Sequence, residues 1–195
     1  MPTPKKILSY LNANKIKHEI LKHKKVFTAY DAAQTLGEDI KKIAKTLLVK
    51  ADKDYYIVSV PANMNLDIKK LGAALKAKKV SIPNEKDMAK VCKIKPGAMS
   101  AFGSLYKLPV VLDKGLLKAK DAVFSTGDFM ESVRLKVKDY ADVEGAILGN
   151  VGVVRKVKPQ KNNPSASSGR GKAIPRCGSG QEKQKSKTTK KKKKK

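Results

Sequence analysis

The apolar runs of this chain stop at about Val157, and that boundary limits what the chain can fold into. Upstream of it, hydrophobic stretches alternate with turn residues. Downstream, residues 158–195 carry 14 lysines and arginines against one acid, Glu182, so this segment holds +13 of the formal net charge of +27. A segment with little apolar surface and so much like charge cannot bury a core. We therefore predict a single folded domain at 1–157 and a disordered lysine-rich tail at 158–195.

The excess positive charge indicates a polyanionic partner. The part upstream of the boundary still carries +14, which suits nucleic acid or, as the weaker alternative, an anionic membrane surface. No apolar run approaches the roughly 20 residues that a bilayer span needs, and the N-terminal stretch is typical of a capped helix rather than a signal peptide. The two cysteines, Cys92 and Cys177, show no metal-ligand spacing. We expect a cytoplasmic protein with reduced thiols, no metal and no cofactor.

Helix caps and helical spacing of apolar residues recur along the predicted domain. Thr28 with Asp31 three residues later resembles a capping box, and Gly37 is a natural stop at the other end of that helix. The same reasoning predicts three further helices. The first has its N-cap at Thr3 and its first helical residue at Pro4, the second contains Ile68, Leu71 and Leu75, and the third extends from Asn84 to Val91.

Runs rich in β-branched and aromatic residues predict the strands. Residues 46–49 and 55–60 are separated by the polar sequence ADKD, which predicts a hairpin of antiparallel strands. Helices mixed with strands, without strict alternation, indicate an α+β domain with a mixed, mostly antiparallel sheet surrounded by helices. The remaining strands are predicted at 80–82, 108–112, 122–125 and 133–137.

Three segments match a family pattern in order and spacing. The first is IAKTLLV at 43–49, after the helix TAYDAAQTLG. The second is VSVP at 58–61, followed by LDIKKLGAALKAKKV, and the third is the loop PGAMSAFG at 96–103, with LP at 108–109. Over nearly all of residues 1–145 the chain resembles the YbaK/ProX family of editing domains, which also occur as insertions in bacterial prolyl-tRNA synthetases.

The resemblance implies a function that composition could not supply. It implies a trans-acting aminoacyl-tRNA deacylase that hydrolyses the ester of mischarged tRNA, with alanine or cysteine on proline tRNA as candidate substrates. Mischarged tRNA and an aminoacyl-tRNA synthetase are the expected partners. The alternative from another class is a non-catalytic RNA-binding or regulatory module that retains the fold.

Lys45 and the glycine loop each have an ordinary explanation beside the one that the resemblance implies. Lys45 opens a strand in an apolar run, where its stem can pack while the ammonium reaches water; the resemblance makes it a fixed cation at the terminal adenosine of tRNA. Glycine content alone makes PGAMSAFG a tight connection. The resemblance makes it a backbone that approaches the ester carbonyl and stabilises the oxyanion.

The resemblance assigns the individual site residues. At Ala101 many relatives have proline, and the loss of that fixed φ angle is expected to loosen the loop, change the aminoacyl fit or weaken catalysis. The predicted catalytic residues are Lys45, Gly97 and Ser100. The predicted substrate-binding residues are Thr46, Pro61, Ala98, Met99, Ala101, Gly103, and, in the turn STGD, Thr126 and Gly127.

Other sequence signals argue against competing enzyme classes. His18 and His23 flank a predicted strand without a paired Asp or Cys, and we expect both in solvent. The sequence contains no Ser/His/Asp constellation, HExxH, paired CxxC or Walker loop, which disfavours proteases, metalloenzymes and nucleotide hydrolases. The lysines of the tail are expected to contact tRNA phosphates. The residues concerned are Lys190, Lys191, Lys192 and Lys193. The alternatives are that the tail is merely solvated or serves as a localisation signal.

Overall fold

The computed structural model describes residues 4–92 and 99–154. These ranges contain five α-helices and ten β-strands in three sheets, which confirms the α+β prediction. The helices are α1 (Pro4–Ala13), α2 (Ala29–Leu36), α3 (Ile68–Leu75), α4 (Glu85–Cys92) and α5 (Val137–Val143). The strands are β1 (His18–Lys22), β2 (Ala44–Ala51), β3 (Asp54–Pro61), β4 (Met64–Leu66), β5 (Val80–Ser81), β6 (Val110–Asp113), β7 (Asp121–Ser125), β8 (Glu131–Lys136), β9 (Ile147–Gly149) and β10 (Gly152–Val154).

Several of the sequence predictions fall outside these ranges. The cap at Thr3 precedes them, and Gly97 and Ala98 lie in the interval between them. The domain boundary at Val157 and the tail follow the second range, so both stay predictions. The tail positions concerned include Cys177 and the lysines at 190–193.

A five-stranded mixed sheet, in the order β5-β2-β3-β6-β9, forms the centre of the domain. β2 and β3 pair antiparallel from Ala44 opposite Pro61 to Ala51 opposite Asp54, which confirms the predicted hairpin. β3 and β6 pair parallel, as do β6 and β9. In the hairpin turn Asp52 has a φ of 53°, a conformation that aspartate tolerates better than most residues.

The helix caps form as the sequence predicts. The Oγ1 atom of Thr28 accepts a hydrogen bond from the Asp31 backbone N–H at 3.1 Å, and the Asp31 carboxylate accepts one from the Thr28 N–H. Gly37 ends α2 in the left-handed conformation, with a φ of 65°. At the start of α4, Asn84 accepts from the Asp87 N–H at 2.9 Å. These local hydrogen bonds satisfy helix-end groups and fix where α2 and α4 begin.

The structure differs from the prediction in one helix and three short strands. The predicted strand 133–137 is β8, but the chain turns into α5 at Val137. Val137, Tyr140 and Ala141 are buried, and their helical spacing directs all three at the core. β4, β9 and β10 each span three residues, which is too short for a periodic pattern.

Both faces of the five-stranded sheet are covered by apolar side chains. One face carries Leu48 and Ile57, which belong to the same buried cluster as residues of α1 and as Tyr140. The other face carries Val49 and Val58, which are buried with Leu71 of α3 and Val151. A second, three-stranded sheet in the order β1-β8-β7 lies beside β2, and α2 packs on its outward face through Ala33.

Asp113 fastens the end of β6 to the loops around it. This side chain is only 3% exposed. Its Oδ2 accepts hydrogen bonds from the Val151 and Gly152 backbone N–H groups at 2.7 and 2.6 Å, and its Oδ1 accepts one from Gly115 at 2.7 Å. A Cβ at Gly115 would lie 2.6 Å from Oδ1, so a larger residue would displace the carboxylate. Asp113 thereby holds the start of β10, which pairs with β4.

Replacing Asp113 with Asn is expected to lower the free energy of unfolding by about 2 to 4 kcal/mol, because the amide NH₂ faces backbone N–H groups that need an acceptor. Urea denaturation measures the loss. Asp54→Asn is the matched control, since Asp54 is exposed at the start of β3. Equal stabilities for the two variants would contradict the role assigned to Asp113.

Candidate active site

A cleft of about 340 Å³ opens beside the first half of β2. β2 pairs with β3 along its whole length, but with β5 only at Lys50 and Ala51. Among the residues that the structure describes, 44–49 therefore have no strand partner on that side. The first turn of α2, the loop between β7 and β8, and Met88 of α4 complete the walls. The cleft is thus formed at an open strand edge, where main-chain groups face the cavity.

Lys45 stands on the cleft wall with its ammonium group held by the main chain. It lies opposite Val60 in the hairpin, on the apolar face that carries Val49. Its Nζ donates a hydrogen bond of 2.7 Å to the carbonyl oxygen of Met64, the first residue of β4. A half-buried ammonium needs such partners because desolvation is costly. The contact fixes where the positive charge lies.

Thr46 and Met99 join Lys45 in the cleft. The Thr46 hydroxyl is buried, and no described residue offers it a hydrogen-bond partner. A buried hydroxyl without a partner is costly, and a polar ligand atom in the cleft would relieve that cost. Lys45, Thr46 and Met99 are therefore the predicted site residues that the structure brings together. Their roles stay predictions.

Ser100, Ala101 and Gly103 lie behind the cleft wall, within the core. The Ala101 N–H donates to the Ser125 carbonyl at 3.0 Å, and the Ala101 carbonyl accepts from the Tyr140 hydroxyl at 2.6 Å. The chain at Ala101 is therefore tied at both groups, and the first bond is one that proline cannot make. At Gly103 a Cβ would lie 2.4 Å from Val110, so close packing requires glycine.

Pro61, Thr126 and Gly127 lie beside the cleft rather than on its wall. Pro61 is buried at the end of β3. Thr126 is buried, and its hydroxyl donates to the Glu131 carbonyl at 2.7 Å. Gly127 has a φ of 85°, which shapes the turn. Ser125 and Asp128, which flank Thr126 and Gly127 in the sequence, line the cleft.

The sequence did not reveal an aromatic pair at the cleft. Phe27 is 62% exposed, and its ring centre lies 5.3 Å from that of Phe129. The Lys25 ammonium lies 5.2 and 5.9 Å from the two ring centres, within cation–π range. A hydrogen bond from the Val26 N–H to the Phe129 carbonyl, at 2.9 Å, holds the two segments together. The pairing joins positions about 100 residues apart, so no local signal predicts it.

His23 also differs from its expected place in solvent. It is half-buried, with Nε2 2.9 Å from the Ser132 hydroxyl and Nδ1 2.9 Å from the Lys24 carbonyl. Ser132 lines the cleft. His18 is half-buried as well, and its Nδ1 contacts the Ile16 carbonyl at 2.8 Å.

The described residues contain no group of three or more His, Cys, Asp and Glu side chains arranged to hold a metal ion. The helices in the same ranges are all too short or too polar to cross a membrane.

The family described as aminoacyl-tRNA editing domain matches residues 23–143. The chain belongs to this family and is an aminoacyl-tRNA deacylase, a hydrolase that acts on aminoacyl-tRNA esters. The prolyl-tRNA editing protein ProX of Acetoanaerobium sticklandii is 26% identical to it over 156 residues, which cover 77% of this chain and 93% of the relative. The resemblance to the YbaK/ProX family is thereby confirmed.

Two further relatives are similar over part of their length or in fold. A proline–tRNA ligase of Thermosipho melanesiensis is 30% identical over 105 residues, which are 54% of this chain and 18% of the ligase. The crystal structure of a candidate trans-editing enzyme for prolyl-tRNA synthetase has a TM-score of 0.68 at 20% identity, covering 78% of this chain and 98% of that one. The second similarity shows the shared fold.

Replacing Lys45 with Ala is expected to lower the rate of deacylation at least about 100-fold, because the substrate loses a fixed charge in a partly desolvated site. Lys45→Met, which keeps the apolar stem, should lose as much activity. Release of free amino acid from mischarged tRNA measures the rate. Lys50→Ala is the control, since Lys50 lies on the same strand over the Tyr55 ring. Unchanged turnover in both Lys45 variants would remove this residue from the mechanism.

Proposed function

We propose that this protein releases alanine or cysteine from mischarged proline tRNA, acting in trans on the free aminoacyl-tRNA. The observation that carries the proposal is the cleft at the β2 edge. Lys45 and Thr46, which are neighbours on that strand, both line it, and the Thr46 hydroxyl is buried without a hydrogen-bond partner among the described residues. The names of the relatives, a prolyl-tRNA editing protein and a proline–tRNA ligase, support proline tRNA as the carrier.

The size and lining of the cleft favour a small aminoacyl group. Its volume of about 340 Å³ is near the lower limit of ligand pockets, which hold roughly 300 to 1,000 Å³. Leu48, Met88 and Met99 give it apolar walls that suit a methyl or thiol side chain. Asp128 lies at the cleft as a carboxylate partner for the α-ammonium group of the amino acid.

The aromatic pair suits the single-stranded 3′ end of tRNA. The exposed ring of Phe27, packed against Phe129, can stack on a nucleobase, and such stacking contributes about 1 to 3 kcal/mol per base. Lys24 and Lys25 are exposed beside them and can contact phosphates. With the terminal base on these rings, the ester would reach the cleft that the same rings border.

The open edge of β2 supplies what ester hydrolysis requires of the protein. Every second residue of a strand edge directs its N–H and C=O groups outward. Because no strand among the described residues pairs with 44–49 on this side, the stretch presents fixed dipoles to the cavity. Fixed donors aimed at a carbonyl oxygen stabilise the negative charge that develops on it. Lys45 and Thr46 belong to this stretch and hold the ester in place.

The test is a panel of proline tRNAs charged with alanine, cysteine or proline, together with alanine tRNA charged with alanine. We expect free alanine or cysteine to be released from proline tRNA at least about 10-fold faster than proline, since each added methylene changes binding by about 1 to 3 kcal/mol. Alanine on its own tRNA is the control for tRNA recognition. Stable alanyl and cysteinyl proline tRNA in the presence of the protein would contradict the proposal.

The lysine-rich segment 158–195 is proposed to hold tRNA through its phosphates. A chain ending at 157 is expected to keep its turnover at saturating tRNA but to bind more weakly at low salt. Each phosphate contact adds about −0.7 to −0.9 to the slope of log affinity against log salt. Filter binding across a salt series measures both slopes, and the two curves should converge at high salt. Parallel curves of equal affinity would show that the tail does not bind tRNA.

A further inference from the structure

Four exposed lysines gather at the end of the central sheet where β2 turns into β3. One is on that turn and three lie between α3 and β5; they are Lys53, Lys76, Lys78 and Lys79, the hairpin-end lysines. We propose that they bind the phosphate backbone of the tRNA acceptor stem while the 3′ end of the same tRNA lies in the cleft. This inference rests on the proposed function and adds to it the surface that receives the paired part of the substrate.

Hydrogen bonds to Asp52 hold the lysine-bearing segment against the hairpin. The Asp52 N–H donates to the Lys79 carbonyl at 2.8 Å. Its two carboxylate oxygens accept hydrogen bonds from the Lys78 and Lys79 N–H groups, at 3.2 and 2.9 Å. Next along the chain, β5 pairs with the last residues of β2. The backbone that carries these lysines is therefore fixed relative to the sheet.

Neighbouring acids do not neutralise the hairpin-end lysines. From Ile68 to Asn84 the sequence contains five lysines and no acidic residue. Both carboxylate oxygens of Asp52 are occupied by main-chain N–H groups. Within the part of the chain that the structure describes, none of the four lysines forms an ion pair. Clustered positive charge without an internal partner attracts a polyanion such as a nucleic acid backbone.

The hairpin-end lysines are near enough to the cleft for one tRNA to reach both. Ile82 lines the cleft and follows Lys79 by three residues, a separation of about 10 Å in extended chain. Along β2, Thr46 in the cleft and Asp52 at the turn are about 20 Å apart. A stacked strand advances about 3.4 Å per nucleotide, so this second separation corresponds to about six nucleotides. The unpaired 3′ end of tRNA is shorter, so the lysines lie at the distance of the acceptor stem.

The cleft and the hairpin end suit different parts of the same RNA. A cavity of about 340 Å³ admits the aminoacyl group but not a double helix, so the stem needs a surface outside it. Base stacking is available at the aromatic pair Phe27 and Phe129, which lies on other segments. Lysine ammonium groups act as point charges that contact phosphates without reading base sequence. The hairpin end therefore fits the backbone of a paired stem.

Two matched pairs of substitutions in the full chain test this surface. Lys76 and Lys15 each follow a helix in the left-handed conformation, with φ of 53° and 56°. Each has another exposed lysine two residues later, Lys78 or Lys17, and the intervening residue closes the turn with an N–H bond of 2.9 Å. Glycine suits such a position. The variants Lys76→Gly/Lys78→Gln and Lys15→Gly/Lys17→Gln should therefore both be at least as stable as the wild type in urea.

Only the hairpin-end pair is expected to change tRNA binding. Lys76→Gly/Lys78→Gln should weaken binding of uncharged proline tRNA at least about 10-fold at low salt and make the salt slope less negative by about 1.4 to 1.8, the value for two phosphate contacts. Lys15→Gly/Lys17→Gln, which removes the same charge before β1, should change affinity by no more than about 2-fold. Filter binding across a salt series measures both. Equal losses in the two variants would show a general effect of net charge and would overturn the proposal.

Two RNA fragments separate the stem from the unpaired end. A stem–loop RNA with the acceptor stem and 3′ end should lose affinity for Lys76→Gly/Lys78→Gln as whole tRNA does, whereas a single strand of the 3′ end alone should bind it like the wild type. An equal loss on the single strand would overturn the proposal, because the lysines would then hold the unpaired end. A wild-type chain that binds tRNA but releases no amino acid from the charged panel would instead contradict the proposed function.

Discussion

Much of the domain depends on the carboxylate of Asp113, which accepts three main-chain hydrogen bonds at the end of β6. Two of them come from Val151 and Gly152 and fix the start of β10, and β10 in turn pairs with β4. The carbonyl that holds the Lys45 ammonium belongs to Met64, the first residue of β4. The buried carboxylate of Asp113 thus fixes, through the short strands β10 and β4, the position of the Lys45 ammonium that we propose to contact the substrate.

The accuracy of the sequence analysis follows the range of the interactions concerned. The capping box at Thr28, the stop at Gly37 and the hairpin between β2 and β3 depend on neighbours within a few residues, and they form as predicted. β4 and β10 exist because Asp113 and their mutual pairing hold them, and a three-residue strand has no pattern of its own. The helix α5 was missed because Val137, its first buried residue, continues the alternation of apolar and charged residues in β8.

The same distinction applies to the site. Lys45 and Thr46 lie on a regular strand, so placing the strand was enough to bring both to the cleft. Ser100 and Ala101 belong to the loop 96–103. The position of Ala101 depends on a distant partner, Tyr140, and both residues lie in the core instead. His23 meets Ser132 only because β1 pairs with β8. No spacing along the chain encodes that meeting.

The open edge of β2 carries a risk as well as a function. Unpaired strands are templates for edge-to-edge association with other chains, and natural proteins often protect them with lysine. Residues 44–49 need to stay uncovered for a substrate to enter, so this domain cannot remove the risk by adding a strand there. Lys45 and Lys50 stand on that strand, and the whole chain carries a net charge of +27. Mutual repulsion between molecules therefore helps to keep the edge available. Lys45 would serve both this repulsion and the proposed reaction, whereas Lys50 adds only charge.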